Sequence, residues 1–321
     1  MRVLVTGGAG FIGSHLAARL AANGVQVTIL DELNDFYSPS LKRANLEEAA
    51  QCGAFELKEA DICDRVSVRD IFRAGRFDTV VHLAARAGVR PSLDDPLLYE
   101  RVNVGGTLVL LEAAREFGVG KFIFASSSSV YGATNNVPFQ ESDLNLLPVS
   151  PYAATKLAGE KLCYTYSHLY GLSVICLRFF TVYGPRQRPD LAIRKFAERM
   201  LRGEPIPFFG DGSSARDYTF VNDTVAGIFA ALPYETKYDI FNLGNSTPVS
   251  LLDLVRALED ALGIAAKLDR QPDQPGDVPI TFADISKARR ELGYNPQTNI
   301  RDGLTAMADW LKTSVAAAAY R

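Results

Sequence analysis

Apolar residues fall into two alternating patterns along the first half of this chain. Short, nearly unbroken runs at 2–6, 25–30, 55–59, 78–84, 121–126 and 173–179 predict strands. Thr79-Val80-Val81-His82-Leu83 has no polar alternation, as a strand covered on both faces should. Between the runs, apolar residues recur every three or four positions and predict helices over 11–22, 40–52, 64–74, 95–117 and 151–170. Strand–helix alternation closes through right-handed crossovers into a doubly wound parallel sheet, an α/β (Rossmann) fold class. Such sheets bind ligands at the carboxyl ends of their strands. Gly7, Asp31, Asp61, Ala84, Ser127 and Thr181 all fall there.

Beyond about residue 180 the regularity weakens. Gly184-Pro185, Pro205, Pro207, Gly210 and Gly212, then Pro272, Pro275, Gly276 and Pro279, punctuate a smaller mixed α/β lobe rich in loops. Residues 223–232 read as a helix and 240–243 as a strand, both able to return to the first lobe, and 301–313 as a last amphipathic helix. The expected division is 1–180 with 216–248 for a dinucleotide-binding domain, and 181–215 with 249–321 for a substrate-binding domain.

At 321 residues with a net charge of −3 and interspersed signs, the chain lacks the basic stripe of a nucleic-acid binder. Its four cysteines (52, 63, 163, 176) form no CxxC pair, and Cys163 and Cys176 sit where core packing is expected. His15, His82 and His168 are scattered, so no metal site is expected. No apolar run reaches transmembrane length and no signal peptide precedes the first strand, which makes a soluble cytoplasmic protein the expectation.

Candidate chemistry sharpens this picture at two places. In Val3-Leu4-Val5-Thr6-Gly7-Gly8-Ala9-Gly10-Phe11-Ile12-Gly13, a strand ends in a glycine turn that opens straight into a helix. Gly7, Gly10 and Gly13 permit a tight turn, close approach to a pyrophosphate and close helix–strand packing, with helix amides facing the phosphates. The second strand ends at Asp31, placed for both ribose hydroxyls of an adenosine. Glu32 follows with no arginine beside it to welcome a 2′-phosphate, so NAD is favoured over NADP. Farther on, Tyr152 and Lys156 stand four apart on one helix face, downstream of the run Ser126-Ser127-Ser128-Ser129. A free phenol titrates near 10 and is a poor base at neutral pH; a neighbouring ammonium lowers it, and a serine can hold the same substrate oxygen.

With the glycine turn, Asp31, Asn103, the serine run and the Tyr–Lys pair, the chain resembles the extended short-chain dehydrogenase/reductases, and within them the nucleotide-sugar 4-epimerases, over Thr6 to about Trp310. Ala87-Gly88-Val89-Arg90, the stretch Thr181 to Asp190, and Gln274-Pro275-Gly276-Asp277-Val278-Pro279 look most like UDP-glucuronate 4-epimerases. The resemblance implies Tyr152 as base, Lys156 as its tuner and a ribose ligand, and Ser127, helped by Ser128 and Ser129, on the reacting hydroxyl. It implies Phe11, Ile12, Asn34, Asp61, Ile62, Leu83, Ala84, Ala85 and Phe179 around NAD, with Asn103 bracing the turn beside it. Arg216 would grip the diphosphate, Asp277 the uridine ribose, and Arg188, with Thr181 nearby, a C5 carboxylate. Arg86 and Arg90 stand near the pocket as competitors for that role, and the alternative is that Arg186, Arg188 and Arg194 form a solvated basic loop or contact the diphosphate. Where UDP-galactose epimerases carry an arginine, this chain has Gln274. Thr281 takes the place that gates N-acetylated sugars by size, and being small it does not exclude them.

The implied reaction is C4 epimerisation of UDP-glucuronate through a transient 4-keto sugar. Dehydratases carry an Asp-Glu pair, and decarboxylases a glutamate, where this chain has Ser128 and Ser129. A UDP-glucose or UDP-N-acetylglucosamine 4-epimerase would share every cofactor and catalytic residue. A dinucleotide sensor would lack the Ser–Tyr–Lys trio, and a free dehydrogenase would release NADH. Family members dimerise through the helices near 95–117 and 151–170, which implies a homodimer; Leu108, Val109, Leu111, Leu162 and Tyr166 are candidates for that face, although core packing explains most of them equally well.

Overall fold

In the computed structural model, which describes residues 1–134, 136–272 and 279–313, the first strands run Arg2–Thr6 (β1), Gln26–Asp31 (β2), Phe55–Glu59 (β3), Thr79–His82 (β4), Lys121–Ser127 (β5) and Ser173–Phe179 (β6). Shorter strands follow at Thr181–Tyr183 (β7), Ile206–Phe209 (β8), Ala215–Phe220 (β9), Tyr238–Leu243 (β10), Pro248–Ser250 (β11) and Leu268–Gln271 (β12). Seven of them form one parallel sheet in the order β10-β6-β5-β4-β1-β2-β3. Successive side chains of a strand point to opposite faces, so alternate residues feed two cores. Val3, Val5, Val81, Ile123 and Ile175 join one core; Leu4, Val80, Phe122, Phe124 and Cys176 join the other. Helices Phe11–Ala22 and Val221–Ala231 cover the first face, and Arg65–Gly75, Thr107–Glu116 and Pro151–Tyr170 the second. The chain steps outward from β1 to β2 and β3, then returns to build β4 on the other side of β1. That reversal opens a crevice between the ends of β1 and β4.

The helix expected over 95–117 is broken. A helical turn at Val89–Asp94 precedes Pro96–Glu100, Arg101–Gly106 widens into a π-helical segment, and regular helix resumes at Thr107–Glu116. Proline at 96 disfavours helical backbone in the residue before it. Asp95 is accordingly non-helical at φ −141° and ψ 73°, and its Oδ1 caps the next turn by accepting from Leu98 N at 3.1 Å. The widened segment carries Asn103, the kind of insertion often found beside functional sites.

Downstream, β9 pairs with β7 and β11 in a small sheet, β8 pairs with β12, and β10 returns to the edge of the large sheet beside β6. Leu111 and Tyr166 belong to the core, whereas Leu108 is exposed, as are Leu97, Leu169 and Tyr170. Among the described residues, no helix is long and apolar enough to cross a membrane.

Candidate active site

One cavity of about 930 Å³ runs from the crevice between β1 and β4 into the small lobe. Its cofactor end starts at Gly7. The left-handed φ of +70° there suits glycine, and a Cβ would come within 2.7 Å of Ala84 N, so the turn lies flat against the end of β4. At Gly13 a Cβ would meet Gly7 O at 2.2 Å, which lets helix Phe11–Ala22 begin directly on the turn. Gly10, at the N-cap, has no side chain to satisfy the first amides, so the helix start is open to an anion. Phe11, Ile12 and Gly13 line the cavity there.

Asp31 stands at the end of β2 with Oδ2 accepting from Ala9 N at 3.0 Å and Oδ1 from Leu33 N at 2.9 Å. Burial pushes its carboxyl up, against the pull of those amides and of the Lys42 ammonium. Lys42 Nζ donates to Asn34 O at 2.7 Å and to Asn34 Oδ1 at 3.0 Å. The expectation that no arginine stands near Glu32 does not hold. Arg86, brought in from the loop after β4, lies 3.4 Å from Glu32 and is neutralised by it. Asp61, Ile62, Leu83, Ala84, Ala85 and Phe179 also line this end. Asn103 does not touch the cavity; it staples the loop after β4, accepting from Arg86 N at 2.8 Å and donating to Arg86 O at 2.9 Å and to Thr155 Oγ1 at 3.0 Å.

At the middle of the cavity, β5 delivers Ser127 and helix Pro151–Tyr170 delivers Tyr152 and Lys156. The helix starts where it does because Ser150 Oγ caps Ala153 N at 3.2 Å and Pro151 occupies the first turn. Ser127 Oγ donates to Ser129 Oγ at 3.1 Å and accepts from Ser129 N at 3.2 Å, and its hydroxyl works against the effect of burial on the Tyr152 phenol. Desolvation raises the phenol above its usual 10, with the Ser127 hydroxyl and the Arg188 charge opposing it. Lys156 was expected to be its principal tuner. In this arrangement Lys156 Nζ donates to Ala125 O at 2.8 Å and lies 6.0 Å from the Tyr152 ring centre, and burial lowers its own pKa to about 8.

At the substrate end, Arg188 is almost enclosed rather than solvated. It forms a two-pronged pair with Asp190 (Nε to Oδ1 3.0 Å, Nη2 to Oδ2 2.7 Å), stacks 5.3 Å from the Phe36 ring and reaches Ala87 O at 3.5 Å. Arg186 pairs with Glu48 at 2.7 Å and Arg194 with Glu198 at 2.6 Å, so neither belongs to a solvated basic loop. Thr181, Ser128, Ser129, Arg216 and Arg90 line the cavity; Arg216 Nη1 donates to Ala215 O at 2.9 Å, and Arg90 lies 5.6 Å over the Phe209 ring. Thr281 is not among the lining residues, its hydroxyl accepting from Asp217 N at 3.2 Å. Gln274 and Asp277 lie outside the described residues.

Sequence reasoning did not single out Lys42, Asp190, Lys195 or Arg199, which share this lining. Lys195 and Arg199 were within reach, standing four apart on helix Ala192–Leu201 and so on one face. Asp190 closes the stretch that begins at Thr181 and stands two residues from Arg188, whereas Lys42 carried no such signal, because its place follows from how separate segments meet.

A family model described as GDP-mannose 4,6 dehydratase matches residues 4–307. UDP-glucuronate 4-epimerase 4 of Arabidopsis thaliana is 45% identical over 96% of this chain and 74% of its own length. The crystal structure of UDP-glucuronic acid 4-epimerase from Bacillus cereus, in complex with UDP-glucuronic acid and NAD, superposes with a TM-score of 0.91 at 38% identity, covering 97% of this chain and 99% of that one. That of UDP-glucose 4-epimerase from Thermotoga maritima with UDP-glucose gives 0.90 at 35% identity, with the same coverage. The glycine turn, the serine run, the Tyr–Lys helix and these likenesses have one source: the chain belongs to the extended short-chain dehydrogenase/reductases, in the nucleotide-sugar family that includes the UDP-glucuronate 4-epimerases.

Proposed function

We infer that this protein is an NAD-dependent UDP-sugar 4-epimerase and that it converts UDP-glucuronate to UDP-galacturonate. The carrying observation is a single cavity holding an open helix start, the Ser127–Tyr152–Lys156 group and an enclosed arginine. The residues at the cofactor end fit NAD: helix amides for a pyrophosphate, Asp31 for ribose hydroxyls, and Asp61 and Ile62 for an adenine. Bound NAD supplies the acceptor, and then the donor, for the hydrogen at C4 of the sugar, so that the 4-keto sugar returns as the epimer. Tyr152 takes and returns the 4-hydroxyl proton, and Ser127 orients that hydroxyl. Lys156, desolvated and held by Ala125, favours the ionised phenol once the cavity is filled.

Serines at 128 and 129 leave no acid for eliminating water, which favours epimerisation over the dehydration named in the family model. Arg188 supports the uronate reading. Its fork pairs with the carboxylate of Asp190 in the two-pronged geometry a sugar carboxylate would need, so the uronate would take the place of Asp190 on Nε and Nη2. Arg216 serves the diphosphate, with Arg90 beside it. Asp277 remains our assignment for the uridine ribose. Residues 1–180 with 216–248 would form the NAD-binding domain and 181–215 with 249–321 the nucleotide-sugar-binding domain, supported by the return of Val221–Ala231 and β10 to the large sheet. Exposed Leu108, Leu169 and Tyr170 suit a homodimer, to be checked by analytical ultracentrifugation. A cytoplasmic location completes the reading, and cell fractionation tests it.

The deciding experiment incubates the protein, without added NAD⁺, with UDP-glucuronate, UDP-glucose and UDP-N-acetylglucosamine in parallel and resolves the C4 epimers. Conversion of UDP-glucuronate is the expected result. Conversion of the neutral sugars alone would transfer Arg188 to other duty and make the protein a UDP-glucose-type epimerase.

A further inference from the structure

Behind the Tyr–Lys helix lies a buried ion pair that the chemistry above does not use. Glu160 follows Lys156 by about one helical turn, so Tyr152, Lys156 and Glu160 share one side of helix Pro151–Tyr170. Arg178 on β6 meets Glu160 with two hydrogen bonds of the guanidinium fork, Nε to Oε1 at 2.9 Å and Nη2 to Oε2 at 2.8 Å, and both side chains are at most 1% exposed. Two charges removed from water give no more stability than well-packed apolar residues of the same volume. What such a pair can provide is a fixed geometry, and here a third partner shows which geometry. Ser126 Oγ donates to Glu160 Oε1 at 2.5 Å. Ser126 lies opposite Arg178 in the β5–β6 ladder and immediately precedes Ser127. The Arg178 guanidinium also lies 4.7 Å from the ring of Tyr131, which ends the turn Ser128–Tyr131, and Tyr131 donates to Asn242 Oδ1 on β10 at 2.7 Å.

We propose that Glu160 and Arg178, acting through Ser126, are positioning residues that set Ser127 against Tyr152. The proposal rests on the reading that Ser127 and Tyr152 carry the reaction. The strand bearing one and the helix bearing the other are locked by a single carboxylate, because Glu160 takes Ser126 from β5 and Arg178 from β6 at once. A planar fork resists both sliding of the strand and rotation of the helix. Displacements of about 1 Å in a reacting pair can cost roughly a hundredfold in rate.

The groups facing the Tyr152 phenol are Ser127 from β5, Lys156 on its own helix, Arg188 from the loop after β7, and the Tyr99 ring at 6.3 Å. Of these, only Ser127 is tied to Glu160 through its neighbour, and its hydroxyl opposes the rise that burial imposes on the phenol. A loosened Ser127 therefore raises the phenol, and the rise of kcat with pH moves to higher pH.

The test compares wild type with Ser126→Ala, Ser126→Thr and Arg178→Lys, measuring kcat, KM and the pH profile on UDP-glucuronate together with thermal unfolding. Ser126→Ala removes one hydroxyl and leaves the ion pair. It is expected to lower kcat about tenfold with KM within about twofold, and to shift the rise of kcat upward in pH. Ser126→Thr, which keeps the hydroxyl, restores both. Arg178→Lys keeps the charge without the fork and gives the same signature as Ser126→Ala. Should Arg178→Lys not fold, the two Ser126 variants decide. Wild-type kcat and pH profile in folded Ser126→Ala would reduce the pair to a stability element and overturn the proposal. A wild type that epimerises none of the three sugars overturns the functional reading and this proposal together, whereas an active wild type with unmoved variants overturns the proposal alone.

Discussion

Tyr152 illustrates how far a residue's chemistry depends on its neighbours. Its phenol is pushed up by burial against the opposing pull of Ser127 and Arg188, while the cation four residues away is itself desolvated down to about 8. Tyr152→Phe removes the proton acceptor without altering the ring packing against Tyr99, so turnover should fall about a hundred- to ten-thousand-fold with an unchanged unfolding curve. Near-normal turnover of that variant would dismiss Tyr152 as the base. Arg188→Gln tests the other end of the cavity. It keeps a donor for Asp190 but cannot grip a second carboxylate with two prongs. The expected outcome is a roughly 10- to 100-fold loss in kcat/KM for UDP-glucuronate and little change for UDP-glucose. Equal losses on both sugars would place Arg188 at a group the substrates share.

At the scale of elements, the decisive joint is between β1 and helix Phe11–Ala22. Gly13 has no room for a methyl group, since its Cβ would sit 2.2 Å from Gly7 O, a backbone atom that can yield only if the turn opens. Gly13→Ala should therefore cost roughly 1–3 kcal/mol and distort the anion-binding helix start. Thermal unfolding together with the NAD content of the purified protein measures both effects. A variant that keeps its full NAD content would show that the turn does not carry the pyrophosphate. The same scale explains why a helix expected over 95–117 came out in pieces. Its apolar period was legible, but Pro96 with non-helical Asp95, and the widened segment around Asn103, are local interruptions that a periodicity averages away.

For the molecule as a whole, two histidines, His82 buried and His15 half-buried, are held in their neutral form. His82, between Thr6 and Thr107, and His15, beside Arg186, are both lowered to about 3, chiefly by desolvation and then by the Lys156 and Arg186 charges respectively. The unfolded chain binds these protons below pH 6.5, and the folded one does so only near 3. The unfolded state thus gains protons first, and stability falls as pH drops from 6.5, by up to about 1.4 kcal/mol per pH unit for each histidine. Denaturant midpoints at about pH 7 and about pH 5.5 should show this fall, and His82→Asn should remove about half of it. An equal fall in the variant would assign the effect to other groups.

Much of this was written along the chain. Strand–helix alternation dictates a doubly wound sheet because each unbroken apolar run must be covered on both faces, and the glycines, Asp31, the serine run and the Tyr–Lys spacing are local patterns whose geometry follows from a turn or a helix face. The rest waited on contacts between distant segments. Arg188 meets Phe36 and Ala87; Arg86 neutralises Glu32; and Glu160 binds Arg178 and Ser126. None of these partnerships has a period or a spacing, because each is created where loops and strand ends from separate crossovers arrive at one place. Spacing was enough to nominate the reacting groups, whereas their ionisation and alignment follow from desolvation and packing, which exist only once the sheet has closed around them.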